Sequence, residues 1–444
     1  MSFFSTLKKW LGSNETHVHV HLHVDGNLNI EDTRQGRSSD RHQKDIITNG
    51  STVLQTKGTG MDVLPEPSLF SGSKNLLSHS ERMRTFKEDR IRIYRSGIMQ
   101  RLGLDIGTKN IVLAHKVGDK RKVRHEVNGF IKIPSKDGTT KQMLASSGVT
   151  FIEQDDGFVA LGRKAEDLSY AFNKTLQRPM MDGTLSGKTE EAMIIMASII
   201  HGIIGKLNDD AILYYCVPAD ALNQNTNVAF HDKIIQMIMG EYQGEAKINA
   251  FPINEARALL IGQVEDKTGI GISFGAGMVN VCYCLYGIEV FSFSIVGSGD
   301  KIDLDSATRF GYNPDHPVGD YKETPTSISR RKENRIKNKP FSLLECPTDM
   351  VGKTIWINYG ILIESVVRGI VDGFNEHEEK ARVDRPIPIV IAGGTSSPDG
   401  FVEYFMDIWG KCSVPFEISE VTRASKPLYA VAEGCLVAAE LHEE

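Results

Sequence analysis

Residues 101–114 read RLGLDIGTKNIVLA. Apolar residues flank a short polar turn on both sides, which predicts a buried strand, a tight turn and a second strand. Asp105 closes the first strand and a Gly-Thr turn follows it. One carboxylate and several backbone N–H groups then face a common point, the donor set that a magnesium-bound phosphate needs. Two more strings further along share this character. Residues 269–278, GIGISFGAGM, predict a hairpin whose Gly275 and Gly277 let a ligand approach the backbone closely. Residues 389–396, IVIAGGTS, predict a buried strand opening into a Gly-Gly-Thr loop, with Pro398 beyond it. Each turn taken alone is also an ordinary tight turn.

Between the first two strings lies INEARALLIG, residues 253–262, a helix with Glu255 at its start. A carboxylate there can position a water, and it equally suits the positive end of a helix dipole. Residues 183–189, GTLSGKT, look like a phosphate loop but hold three residues between the glycines where that pattern needs four. They are excluded.

From about residue 98 onward, strands alternate with amphipathic helices, an α/β class with mixed sheets. The pattern predicts strands at 211–218 and 387–392 and a run of strands over 268–296. Helices are expected at 225–240, 355–375 and 427–440. Ahead of this core, residues 1–12 place Phe3, Phe4, Leu7, Trp10 and Leu11 on one arc beside Lys8 and Lys9, a basic amphipathic helix suited to a membrane surface or to a partner. Residues 13–30 alternate His17, His19, His21 and His23 with aliphatics before an Asp-Gly turn, which predicts a hairpin. Residues 31–97 read as a largely disordered tether. No repeat of fixed period is present.

The net charge of −6 does not suggest a nucleic-acid binder. Residues 1–97 hold 14 Lys and Arg against 11 Asp and Glu, so the rest of the chain carries nine excess negatives. The basic run 330–339 is expected to be a solvated helix face. Six scattered cysteines without a CxxC pair fit a reducing compartment and argue against thiolate metal ligation. The longest apolar stretch, 192–205, is short of a membrane span, and no signal peptide is visible. A soluble cytoplasmic protein is expected.

Further strings fall in a telling order: LGRKAE at 161–166, RPMMDG at 178–183, Val217-Pro218, GSGD at 297–300, NRIK at 334–337 and PLYAVAEG at 427–434. Together with the three glycine turns and Glu255 they resemble the actin-like ATPase superfamily over residues 98–444, and within it the bacterial actin MreB and MamK group. The resemblance implies a two-lobed α/β fold with ATP and Mg²⁺ in the cleft. Asp105 would hold the metal through water, while Gly107, Thr108, Lys109 and Asn110 face the phosphates. Gly275 and Gly277 would clasp the β- and γ-phosphates, with Ser273 and Asp300 beside the nucleotide. Gly393, Gly394, Thr395 and Lys337 would flank the adenosine, and Glu255 would orient the attacking water.

The chain departs from the family pattern at Ser273, where an Asp is usual, and over 275–279, which read GAGMV in place of G-G-G-T-T. Ala256 and Asn334 replace a Pro and an acid. The resemblance still implies nucleotide binding through the backbone, and these changes lead us to expect slow or impaired hydrolysis. The expected function is an ATP-dependent homopolymer, a cytoskeletal filament held by residues 1–12 at the inner face of the cell membrane or on cargo. A non-polymerising ATP-dependent switch or scaffold, a chaperone-like reactivase and a small-molecule kinase on the same fold are the alternatives.

Overall fold

The computed structural model describes residues 21–23 and 100–442, apart from 136, 155, 173, 186–189, 206, 208–209, 243–248, 334–340, 378 and 380–384. The expected helix at 1–12, the tether, all of the 13–30 hairpin except 21–23, and Lys337 with Asn334 lie outside the described residues. The chain divides into two compact units.

One unit comprises His21–His23 with Lys116–Arg121 and Phe130–Leu176. Its sheet has the order β1-β6-β7-β5, formed by β1 (His21–His23), β5 (Phe130–Ile133), β6 (Phe151–Gln154) and β7 (Gly157–Leu161). Of the histidine segment, His21–His23 is a strand, antiparallel to β6 with Leu22 opposite Ile152. Helices α1 (Gly138–Ser146) and α2 (Gly162–Ala171) complete the unit. Its core joins Leu144 and Ala165 of those helices to Ile131, Phe151, Phe158 and Ala160 of the sheet.

The other unit holds two five-stranded sheets, the first of them without the ends of β3 and β4 at Lys116–Arg121. The first has the order β11-β10-β2-β3-β4, from β2 (Arg101–Ile106), β3 (Asn110–Val117), β4 (Lys120–Val127), β10 (Ile212–Val217) and β11 (Asn249–Asn254). The second has the order β14-β13-β12-β15-β16, from β12 (Gly269–Phe274), β13 (Met278–Leu285), β14 (Ile288–Val296), β15 (Ile387–Ala392) and β16 (Ile418–Arg423). Both are built alike. An antiparallel hairpin, β2–β3 or β12–β13, continues on its other side into two parallel strands. A two-residue hairpin joins β8 (Met180–Met181) to β9 (Thr184–Leu185), with Asp182 and Gly183 both at positive φ as a tight primed turn requires.

Helices α3 (Glu190–Ile204), α4 (Val228–Tyr242), α5 (Glu255–Gln263), α6 (Gly299–Arg309), α7 (Pro325–Lys332), α8 (Met350–Glu376), α9 (Phe401–Trp409) and α10 (Ala430–Glu440) cover the sheets. Residues Ile355, Tyr359, Leu362, Ile363, Val366 and Ile370 of α8 recur at helical spacing and sink into the core of the second sheet. This helix is long and apolar enough to cross a membrane by length and composition, but that face is buried in protein. Helices α5 and α10 bridge the sheets: one cluster contains Cys216 and Ile253 of the first, Val390 and Ala392 of the second, and Ala258, Leu259, Val431 and Cys435 of the helices. The segment after β10 adds a second seam. Asp220 O accepts from Ser294 N at 2.8 Å, Leu222 N donates to Ser294 O at 2.9 Å, and the Asn223 amide bonds both N and O of Val296.

Candidate functional site

The first glycine turn is closed by Gly107 N–H donating to Asn110 O at 2.9 Å. Asn128, which no sequence signal picked out, is fully buried beneath it. Its side-chain amide donates to Gly107 O and its backbone N–H to Lys109 O, each at 2.9 Å. Two carbonyls of the turn are thereby held back, which fixes the orientation of the peptide units between them. Thr108 is buried, whereas the side chains of Lys109 and Asn110 are engaged elsewhere. Lys109 pairs with Glu333 at 2.7 Å, and Asn110 Oδ1 meets His125 Nε2 at 2.8 Å.

The second turn, 275–277, is closed by Gly275 N–H on Met278 O at 2.9 Å. It meets the first at Gly277, where an added Cβ would lie 2.6 Å from Thr108 Oγ1 and 2.4 Å from Gly183 N. Only glycine allows this three-way approach. The Asp182–Gly183 turn thus joins the two glycine turns foreseen from the sequence.

The third turn reaches the same place by a different route. Gly393 has φ +90°, and Thr395 Oγ1 donates to Gly275 O at 2.7 Å, while Tyr359 OH donates to Thr395 O at 3.1 Å. Arg423 holds the loop from below through the carbonyls of Ser396, Ser397 and Pro398. The start of α6 closes the ring, with Asp300 N–H on Ala276 O at 2.8 Å. Asp300 itself pairs with Arg178 at 2.7 Å. Gly107, Thr108, Gly275, Gly277, Thr395 and Asp300 are therefore brought together, with Gly393 and Gly394 in the loop that carries Thr395.

Within the basic run, Arg330 is exposed, but Arg331 and Lys332 depart from the solvated face expected. Arg331 is buried against Asp349, and the largely covered Lys332 pairs with buried Asp303 at 2.9 Å while also donating to Gly299 O at 3.0 Å. Partners distant in sequence, one on α6 and one capping α8, draw these two cations inward.

Two half-buried carboxyls stand at the ends of the facing elements. Asn254 Oδ1 caps α5 by accepting from Arg257 N, and this sets Glu255 at the first turn. Ser273 Oγ donates to Glu255 Oε1 at 2.6 Å, and Asn280 Nδ2 donates to Oε2 at 2.8 Å. The Asn280 amide is itself oriented by Ala219 N–H, which donates to its Oδ1 at 3.1 Å. Asp105 Oδ1 accepts from the Cys216 thiol at 3.2 Å. Removal from water pushes both carboxyls above their ordinary range, and Glu255 is raised further by the charge of Asp105. Asp182 is raised by burial and then by Asp300.

This donor set fits a magnesium-bound phosphate: hard carboxylate oxygen from Asp105 and a glycine cradle too narrow for any side chain at Gly277. Asn128, Asn280, Asp182 and Arg178 were not singled out as site residues from the sequence. Asn280 had a signal, because a turn at 275–277 places it directly opposite Ser273. Asn128 had none.

A family model described as Volactin matches residues 99–439. Among solved structures the chain is similar to a MamK double helical filament, with a TM-score of 0.57 and 18% identity, covering 78% of this chain and 100% of that one. It also matches a non-polymerising MamK mutant bound to AMPPNP (TM-score 0.48, 18% identity, 78% and 100% covered). A third match is the ethanolamine utilization protein EutJ from Carboxydothermus hydrogenoformans (0.41, 13%, 78% and 93%). No curated protein matches. At these identities the likeness concerns the fold, and the first of the three shows that fold to be actin-like.

Proposed function

The chain belongs to the Volactin family, and from that premise we propose that it is an actin-like protein that binds ATP with magnesium and assembles with copies of itself into nucleotide-dependent filaments. The observation that carries the reading is the meeting of the 107–110, 275–277 and 393–395 turns beside Asp105 and Glu255. Asp105 would hold the metal through water, and the backbone of the glycine turns would hold the phosphates. Magnesium would supply the positive charge that gathers the phosphate oxygens. The likeness to MamK in the form of a double helical filament supports self-assembly. Residues 1–12 would fix the polymer to the inner face of the cell membrane or to cargo, a part of the proposal that rests on sequence alone.

Hydrolysis is slow in this reading. Both oxygens of Glu255 are occupied by neutral donors, and Ser273 supplies no charge to organise metal or water. The same observation favours a second reading, a non-polymerising switch that changes state on holding ATP. Negative-stain microscopy of the purified chain with Mg-ATP, beside a nucleotide-free control, separates the two. Filaments that form only with nucleotide support the first. Absence of polymer at every nucleotide and concentration, with ATP bound in a titration, leaves the switch. Absence of both polymer and binding refutes either.

A further inference from the structure

Cys282 and Cys284 stand two apart on β13, so the strand pleat puts both side chains on one face. Across β12 they face Gly271 and Gly269, which offer no side chain to separate them. Helix α5 covers this face, and Ala256 and Leu260 pack directly on the pair. The two sulfurs approach to 3.4 Å and both residues have no exposed surface. Arg257, on the first turn of α5, lies within electrostatic reach of both thiols, and its Nε donates to Gly287 O at 3.1 Å. Spacing in the sequence argued against thiolate metal ligation, yet the hairpin assembles two thiols, a dry apolar wall and one cation.

We propose that Cys282 and Cys284 form a two-coordinate site for a soft monovalent cation of the copper(I) class. Soft thiolates select such ions, whereas carboxylate and carbonyl oxygen suit harder ones. Glu289 faces Cys284 across β14, but it is exposed and accepts from Ser292 Oγ at 2.6 Å, so it does not complete a harder shell. On binding, each thiol gives its proton to solvent and each sulfur forms one bond to the ion, with no change in oxidation state. The resulting bis-thiolate carries one negative charge, which the guanidinium of Arg257 favours and the carboxylate of Glu289, exposed at the strand edge, partly opposes. At about 2.3 Å per metal–sulfur bond a linear arrangement needs the sulfurs to part by roughly 1 Å, a rotation about two χ1 bonds. Entry is short, because Cys284 lies two residues from the exposed turn residue Tyr286.

The site is independent of the nucleotide reading and is tested without it. Reduced full-length protein, carrying Cys346→Ser and Cys412→Ser to remove the more accessible thiols, is titrated with copper(I) or silver(I) under nitrogen against a copper(I) chelator. The expected result is one ion per chain by native mass spectrometry, with two protons displaced. Cys282→Ser or Cys284→Ser should each weaken binding about a hundredfold or more, since one thiolate cannot supply both bonds. Equal binding by the double Cys282→Ser, Cys284→Ser chain would overturn the proposal, as would loss of the ion to the chelator from the intact pair. X-ray absorption of the singly loaded chain needs no variant at the pair. Two sulfurs and no lighter ligand support the site, and a mixed shell refutes it.

Discussion

Replacing Lys332 by Met tests whether the buried pair between α6 and α7 is held by electrostatics. Lys332 and Asp303 have side chains 9% and 8% exposed and are 2.9 Å apart. The ammonium also donates to Gly299 O at 3.0 Å and sits 5.9 Å from the centre of the Tyr359 ring. Burial raises the Asp303 carboxyl to about 6 against the pull of Lys332, with Asp300 adding to the rise and Lys109 opposing it. A carboxyl raised in the folded state keeps its proton longer than in the unfolded chain. Its contribution is therefore most favourable in acid and is lost as pH climbs from about 4 to about 6, a change of about 3 kcal/mol. Removing Lys332 pushes the carboxyl higher still and extends that loss toward neutral pH. At pH 8 the variant should lose about 3–5 kcal/mol, the cost of stranding a buried charge. At pH 5 Asp303 is largely protonated in the variant, and only about 1–2 kcal/mol remains for the lost bond to Gly299. Urea denaturation followed by circular dichroism at pH 5, 6.5 and 8 reads this directly. Asp303→Asn in the same chain should restore most of the loss at pH 8. A cost that is equal at pH 5 and pH 8, or no rescue by Asn, would refute the electrostatic account and leave packing alone.

Gly277→Ala would place a methyl 2.4 Å from Gly183 N and 2.6 Å from Thr108 Oγ1; a fluorescent ATP titration should show affinity reduced about tenfold or more, with unchanged far-ultraviolet circular dichroism. Gly434→Ala would bring Cβ to 1.9 Å from Ala258 O and force α10 away from α5. Such overpacking costs about 1–3 kcal/mol or more, to be seen as a lower thermal midpoint, and a wild-type midpoint would contradict the close helix contact. Ser273→Asp sets a third carboxyl beside Asp105 and Glu255 and removes the 2.6 Å donor to Glu255. The free chain should become less stable at pH 8 than at pH 6, magnesium should reverse the loss, and phosphate release from ATP should rise above the wild-type rate.

Much of the fold could be read from the chain because its strands are buried on both faces and end at glycine or proline. The strand at 387–392 is found at those residues, and the strand expected over 211–218 runs from Ile212 to Val217. Helix starts were less legible. α4 begins at Val228 rather than 225 because Asn227 Oδ1 accepts from Phe230 N. α8 begins at Met350 rather than 355 because Asp349 accepts from Gly352 N, and its first turn, with Met350 and Lys353 exposed, carries only Val351 onto the core. The two like-built sheets left no repeat in the sequence, since strand order is a property of pairing and not of residue identity. Among the site residues, the glycine turns and both carboxyls were visible as local strings. The partners that orient them were not: Asn128, Asn280 and Cys216 act at 21, 25 and 111 residues' distance from their targets.

Those long-range partners also decide what Glu255 is free to do. It belongs to the helix that bridges the two sheets, its ligand Asn280 to the second sheet, and the group orienting Asn280, Ala219 N–H, to the segment that follows the first. The same segment is stitched to β14 by the Ser294 hydroxyl on Ala219 O, by the backbone bonds of Asp220 and Leu222, and by the Asn223 amide on Val296. Each bond is worth about 1 kcal/mol net, and together they oppose any rotation of one sheet against the other along this seam. To reach a water Glu255 must give up both donors, and Asn280, held by Ala219 N–H, is fixed in the orientation that keeps its bond to Glu255. In the proposed function a slow hydrolytic step therefore has a physical source beyond the missing charge at Ser273: the donor that holds the carboxylate is itself fixed by the seam.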